Sequence, residues 1–444
     1  MQSKVSIVVP CYNKVHWIAG MLESVLTQKW DSIELILVND GSTDGTRKII
    51  SEFEPKFHER GYEIIIIDQE NQGLAAAVRN GMLHMTGDYF CTIDCDDRLA
   101  QDYFIVLAGW LDENPEYDGV SCSFETEWDH APEKCIPWRY SAESSNRLEN
   151  YILFRMYLFC CVYLVRTRYI KKYKIVEKYH ATPNNCQEPQ LLIPYFAYDG
   201  NFKHIPKGLY LRNLDASDKS RSDTFDKTMK HITGYFELII LSINELDKPD
   251  IEKHRLSTLA ELGRLKTCFN WTKRFSEAAS IRRQWLNEYI SILQLHFKVS
   301  INSADLNCIL DNSGIFFSSV EKWLLNEQIV NMPEIPKGRI IGYGALGKNA
   351  DKFLPVLKRT PYAPTVLWDG SAHNSSVYDG KKVYFPDFER LTKEDLLLVL
   401  PSSLEIQAEV KKKLMKAKSE SICAFYDQIA EYFGRILLHP DTAQ

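Results

Sequence analysis

Four compact apolar runs recur in the first hundred residues, separated by amphipathic stretches. Val5-Ser6-Ile7-Val8-Val9 is stopped by Pro10, and Ile33 to Val38, Tyr62 to Ile67 and Asp88 to Ile93 follow. The stretches from about His16 to Thr27, Thr46 to Arg60 and Gly73 to Met85 read as helices. Strand–helix repetition at this spacing predicts an α/β fold, a parallel sheet with helices on both faces. Ligands of such sheets sit outside the carboxyl ends of the strands, so the residues just after each strand should carry the chemistry.

At 444 residues the chain exceeds a usual single domain, and three zones can be separated. Residues 1–224 hold the strand–helix ladder. Residues 225–331 carry helical stripes: Phe225, Met229, Ile232, Phe236, Ile239 and Ile243, then Leu259, Leu262, Leu265 and Phe269, then Trp285, Tyr289, Ile292 and His296. This middle zone reads as a helical connecting segment whose aromatic stripes are core. Residues 332–444 return to short strands and helices, and the stripe Phe425, Ile429, Tyr432, Phe433 and Ile436 should pack on that sheet or on a partner subunit.

Fifty-three Lys and Arg against 59 Asp and Glu leave a net charge of −6, which excludes sequence-independent nucleic-acid binding. The eleven cysteines are scattered, and the opening residues read as a strand rather than a leader, so reduced thiols in a cytoplasmic setting are expected. The longest apolar run, Met156 to Val165, is about half of a bilayer-spanning helix. The lysines Lys411, Lys412, Lys413, Lys416 and Lys418 could touch anionic lipid, so peripheral contact at the inner face of a membrane is the most that is expected; a solvated helix face is the simpler reading.

Three clusters stand where the chemistry should be. Asn39-Asp40-Gly41-Ser42 follows the second strand; its acid can accept from a base or a ribose hydroxyl, or can simply shape a turn. Asp94-Cys95-Asp96-Asp97 follows the fourth strand. In an extended chain Asp94 and Asp96 would aim at one point, and acids packed so closely call for a cation, with Mg²⁺ or Mn²⁺ suiting the hard oxygens. Asn71 to Gly81 joins small residues, fit for close helix packing, to Arg79, which should lie near the acids or a phosphate.

These segments, together with Val5 to Lys14 and Gly87-Asp88-Tyr89, resemble the family-2 glycosyltransferases in order and spacing over about the first 100 residues. The resemblance implies a GT-A fold and inverting transfer from a nucleotide-sugar, most often a UDP-sugar, to a glycan or lipid-linked glycan. It implies Mn²⁺ or Mg²⁺ as cofactor, held by Asp94 and Asp96, with Asp96 the direct ligand. Pro10, Tyr12, Asn13 and Asp40 would contact the nucleoside. Arg79 would lie near the diphosphate or ribose, and Asp97 would complete the nucleotide-sugar site. By family habit the acceptor would be a precursor of a bacterial surface polysaccharide.

Inversion needs a base beyond the donor site. Gln187-Glu188-Pro189 occupies the place where the family often carries a Glu-Asp pair, so Glu188 is the candidate base and Pro189 replaces the second acid. Proline is tolerated in a first helical turn, so the helix start should survive; Asp199 and Asp215 are the other acids able to act. Arg212 with Ser217 and Ser220 is similar to the family segment that approaches the phosphates. In the last zone, Gly342, Gly344 and Gly347 between a strand and a helix, with Asp369 downstream, fit the glycine fingerprint of a small Rossmann-like domain, read either as a second nucleotide site or as a structural module. Two other readings of the whole chain stand beside the transferase. One is a sugar-nucleotide pyrophosphorylase, which would need a Gly/Arg/Lys loop where Pro10 to Lys14 stands. The other is a non-catalytic carbohydrate-binding or scaffold protein with a degenerate site. A homo-oligomer is compatible with each.

Overall fold

The computed structural model describes residues 2–127, 146–155, 159–181, 186–198, 200–213, 224–275, 278–299, 301, 306–326, 332–335, 337–357, 360–373, 375–417 and 421–438. Asp199, Asp215, Ser217, Ser220 and Lys418 lie outside them. The chain forms two compact units, 1–275 and 276–444.

Unit 1 opens with β1 (Val5–Cys11), α1 (Ile18–Leu26), β2 (Ile33–Asp40), α2 (Thr46–Arg60), β3 (Glu63–Gln69), α3 (Leu74–His84) and β4 (Tyr89–Thr92). These are the elements expected from the ladder, within two residues at each boundary. Strands β1 and β2 are buried at every position, as continuous apolar runs in a parallel sheet should be, while β3 is half-buried at an edge. Ala75, Ala76 and Ala77 are buried, and a Cβ on Gly81 would lie 2.4 Å from Val8 Cγ1. The small residues of α3 therefore let it lie against β1 and β2, as anticipated.

The remainder of this unit is β5 (Arg98–Leu99), α4 (Tyr103–Glu113), β6 (Gly119–Glu127), α5 (Arg147–Ile152), β7 (Tyr163–Arg166), α6 (Thr167–Lys172), α7 (Glu188–Ala197), β8 (Phe202–Asn213), α8 (Phe225–Asn244) and α9 (Asp250–Trp271). The eight-stranded sheet runs β3-β2-β1-β4-β7-β6-β8-β5. Strand β7 is antiparallel to both neighbours, and β5 is antiparallel to β8. The two-residue β5 matters most, because it follows the acidic turn directly and pairs Leu99 with Tyr210.

Unit 2 comprises α10 (Ala279–Phe297), α11 (Leu306–Asp311), α12 (Ser313–Leu324), β9 (Ile340–Tyr343), α13 (Ala350–Leu357), β10 (Val366–Trp368), β11 (Val377–Tyr378), β12 (Lys381–Tyr384), β13 (Leu396–Val399), α14 (Leu404–Lys416), β14 (Ile422–Ala424) and α15 (Tyr426–Leu438). Its sheet runs β11-β12-β10-β9-β13-β14, parallel from β12 to β14 with β11 added antiparallel at the edge. The five parallel strands take the order 3-2-1-4-5 of a doubly wound sheet. Ile429 and Phe433 of α15 are buried, Phe433 against Phe353.

The zone read as one helical connector divides between the units: α8 and α9 belong to the first, α10 to α12 to the second. Its apolar periodicity is that of core helices in either. On α10 Trp285 and Tyr289 are buried as the stripe requires, whereas His296 is exposed and Leu286 and Leu293 join the inner face. Among the described residues no helix is long and apolar enough to cross a membrane.

Candidate active site

The carboxyl ends of β1, β2 and β3 are laced together. Asn13, at φ 50°, accepts on Oδ1 from the Thr43 N–H at 2.8 Å, and its own N–H donates to Ser42 Oγ at 3.2 Å. Asp40 is buried; its Oδ1 accepts from Gln69 Nε2 and Gln72 N, both at 2.8 Å, and its Oδ2 from Gly73 N at 2.9 Å. It thus shapes the loop that starts α3 and retains little acceptor capacity for a ligand. Gly41 adopts φ 69°, and a Cβ there would lie 2.8 Å from the Asn71 backbone nitrogen, so glycine is required. Pro10 is buried opposite Val38, whereas Tyr12 is 46% exposed beside these loops. Arg79 donates to the Val176 carbonyl at 3.3 Å, toward the segment that precedes α7.

Beyond β4 the chain turns instead of running extended: the Asp97 N–H donates to the Asp94 carbonyl at 3.1 Å. Asp94 and Asp96 consequently bond to different elements while remaining electrostatic neighbours. Asp94 Oδ1 accepts from Gln187 Nε2 at 2.9 Å, and Asp96 Oδ2 takes Lys14 Nζ at 2.5 Å. Asp97 is buried and held by β8, accepting from Tyr210 Oη at 2.7 Å and Asn213 N at 2.8 Å. Its task is to fasten the turn to β8.

Glu188 opens α7, with Pro189 in the first turn, so the helix start is intact. The preceding Gln187 is fully buried and also accepts from Thr92 Oγ1 at 3.3 Å. Gln190 completes the arrangement: it accepts from His180 N at 2.6 Å and donates to the Cys186 carbonyl at 3.0 Å. The acids repel one another. Burial, then Asp97, Asp96 and Glu188, raise Asp94 well above the carboxylate range. Burial and Asp96 push Asp97 up to about 7 against its donors and Arg212, and burial raises Glu188 against Cys186 and Arg212. Arg212, on β8, is the cation that offsets both, and it lies 5.2 Å from the Phe159 ring centroid.

Four carboxylates with Lys14 and Arg212 form, among the described residues, a site short of positive charge, which suits a hard divalent ion. Among the described residues no three His, Cys, Asp or Glu side chains form a complete cage. The residues fit an ion that takes one or two protein carboxylates and draws its other ligands from a phosphate or water. Gln187, Tyr210 and Asn213 were not legible as site residues, because their roles depend on which strand lies beside the turn.

The glycine loop of unit 2 is built differently from a phosphate cradle. Gly344 (φ 86°) and Ala345 donate their N–H groups to the Trp368 carbonyl, at 2.8 and 3.1 Å, and Gly347 donates to the Gly344 carbonyl at 3.1 Å. The Leu346 N–H goes to Asp369 Oδ2 at 3.0 Å, and Asp369 Oδ1 accepts from Ser371 N and Oγ at 2.9 and 2.6 Å. Gly342 lies within β9, and α13 begins only at Ala350. As folded, these amides are taken by backbone carbonyls and by Asp369, and Asp369 is taken by Leu346 and Ser371.

Residues 6–166 match the family model Glycosyl transferase family 2. The match takes in β1 to β7 and the whole acidic turn. The glycosyltransferase GlyA of Streptococcus pneumoniae is 40% identical over 107 residues, 24% of this chain and 15% of that protein. The teichoic acid poly(glycerol phosphate) polymerase of Staphylococcus epidermidis is 29% identical over 203 residues, 46% of this chain and 27% of that protein. This chain therefore spans under a third of the length of either relative. The crystal structure of S. aureus TarS 1-349 in complex with UDP-GlcNAc aligns at a TM-score of 0.47 and 16% identity, over 76% of this chain and 95% of that one.

Proposed function

We propose that the protein is an inverting glycosyltransferase that moves a sugar from a UDP-sugar to a glycan acceptor in the synthesis of a bacterial surface polysaccharide. The observation that carries this reading is the crowding of Asp94, Asp96 and Asp97 after β4, inside the residues that match the family, with Glu188 brought to them at the start of α7. The relatives named as a glycosyltransferase and a teichoic-acid polymerase support the class of product.

In this mechanism exposed Tyr12 faces the nucleoside, and Asp40 and Asn13 hold the loops around it. Asp94 and Asp96 would hold Mn²⁺ or Mg²⁺, which neutralises charge on the departing diphosphate when bound. Glu188, raised by burial toward the working pH, accepts the proton of the acceptor hydroxyl. The hydroxyl oxygen bonds to the anomeric carbon while the carbon–phosphate-oxygen bond breaks, and the electron pair leaves with UDP. Gln187 keeps the base and the acidic turn in register by joining the start of α7 to Asp94.

The test is release of UDP from a panel of UDP-sugars with Mn²⁺, with and without a lipid-linked or oligosaccharide acceptor. Sugar transfer or metal-dependent donor hydrolysis is expected. Absence of both across the panel overturns the reading and favours a non-catalytic carbohydrate-binding protein.

A further inference from the structure

The three aspartates of the turn are held in three ways. Asp94 is bonded by buried Gln187 and Asp97 by buried Tyr210, neutral donors anchored in the core. Asp96 instead meets a cation, Lys14, at 2.5 Å, and both side chains are about a third exposed, at 34% and 30%. The backbone of Lys14 is fixed, its N–H donating to Thr46 Oγ1 at 2.8 Å. Its ammonium rides on a flexible four-carbon stem and also lies 5.5 Å from the Trp17 ring centroid, which offers a second resting place. A divalent ion and an ammonium cannot share Asp96 without strong like-charge repulsion.

Building on the metal-binding reading above, we propose that Lys14 is a resident counter-cation of Asp96 that an incoming divalent ion displaces, after which the ammonium pairs with the donor diphosphate. Lys14 is then a positioning residue that makes metal and nucleotide binding cooperative. The metal alone binds against the ion pair, and the nucleotide supplies the negative charge that receives the released lysine.

The experiment titrates Mn²⁺ by electron paramagnetic resonance, and UDP at saturating Mn²⁺ by calorimetry, on the full chain and on Lys14→Met, Lys14→Gln and Lys14→Arg. Lys14→Met and Lys14→Gln should bind Mn²⁺ alone about fivefold more tightly, the scale of one part-exposed ion pair, and bind UDP about fivefold more weakly. Lys14→Arg should stay close to wild type in both. Loss of structure would weaken both ligands, so the opposite signs are diagnostic. Mn²⁺ affinity unchanged or weakened in both neutral variants overturns the displacement, and unchanged UDP affinity overturns the second contact. A wild-type protein that binds no Mn²⁺ with or without UDP would overturn the metal reading itself.

Discussion

Gln187, the residue before α7, donates its side-chain amide to Asp94 at 2.9 Å and so couples the turn after β4 to the helix that opens with Glu188. Ninety-three residues separate them in the chain. Replacement by Leu removes the donor from a part-buried carboxylate, at a cost of about 1–3 kcal/mol. Gln187→Leu should lower Tm and reduce kcat, while Gln187→Asn, which keeps an amide on a shorter stem, should recover part of both. Calorimetry and steady-state kinetics on the pair check this; wild-type values in Gln187→Leu would show that the link is dispensable.

Glu188 is the base of the proposed mechanism. Glu188→Gln keeps the shape and removes the charge, so kcat should fall by about 10²–10⁴ with UDP affinity nearly intact. Near-normal turnover would take Glu188 out of the mechanism.

Asp97 titrates upward, to about 7, because it is buried beside Asp96. A carboxyl raised in the folded state binds more protons folded than unfolded. Its contribution to stability is therefore present at low pH and is lost as pH rises from about 3.8 toward 7. Between pH 5 and 7.5, wild type should lose stability more steeply than Asp97→Asn, measured by urea unfolding. Equal slopes would mean that Asp97 does not titrate in that window.

In unit 2 Asp369 accepts from the Leu346 amide and from Ser371. Asp369→Ala should destabilise the chain by about 1–3 kcal/mol while leaving nucleotide affinity unchanged. A drop in affinity for UDP or NAD without loss of stability would assign Asp369 to a ligand after all.

Asp395 is buried and accepts from Arg339 N, Arg339 Nη2 and Thr392 N at 2.9, 2.8 and 2.9 Å; the Arg339 bonds and those from Thr392 hold its carboxyl well below the usual range. A lowered carboxyl gives stability above its unfolded value, and that stability is lost as pH falls. Asp395→Asn should therefore unfold at lower denaturant than wild type at pH 7, with the gap closing toward pH 3.

Much of the framework was readable without coordinates. Strands β1 to β4 and helices α1 to α3 fall where continuous apolar runs and helical periodicity place them, and Pro189 sits in a first turn as proline chemistry allows. The candidate acids were legible because they follow strands. The extended geometry assumed for Asp94 and Asp96 was not correct, since a local turn closed by the Asp97 amide outweighs strand alternation. The glycine fingerprint of unit 2 had the right spacing and the right neighbouring elements, yet its amides are satisfied within the fold.

The amino-acid order alone determined which segments become strands and helices and which acids stand at strand ends, because those follow from local periodicity and turn chemistry. Only the tertiary structure decided the partner of each acid: Gln187 for Asp94, Lys14 for Asp96, Tyr210 for Asp97. Those pairings depend on α7 and β8 reaching the turn after β4 and on β1 lying beside β4, contacts across about a hundred residues that no local pattern encodes, and on the low-dielectric crowding that makes each donor necessary.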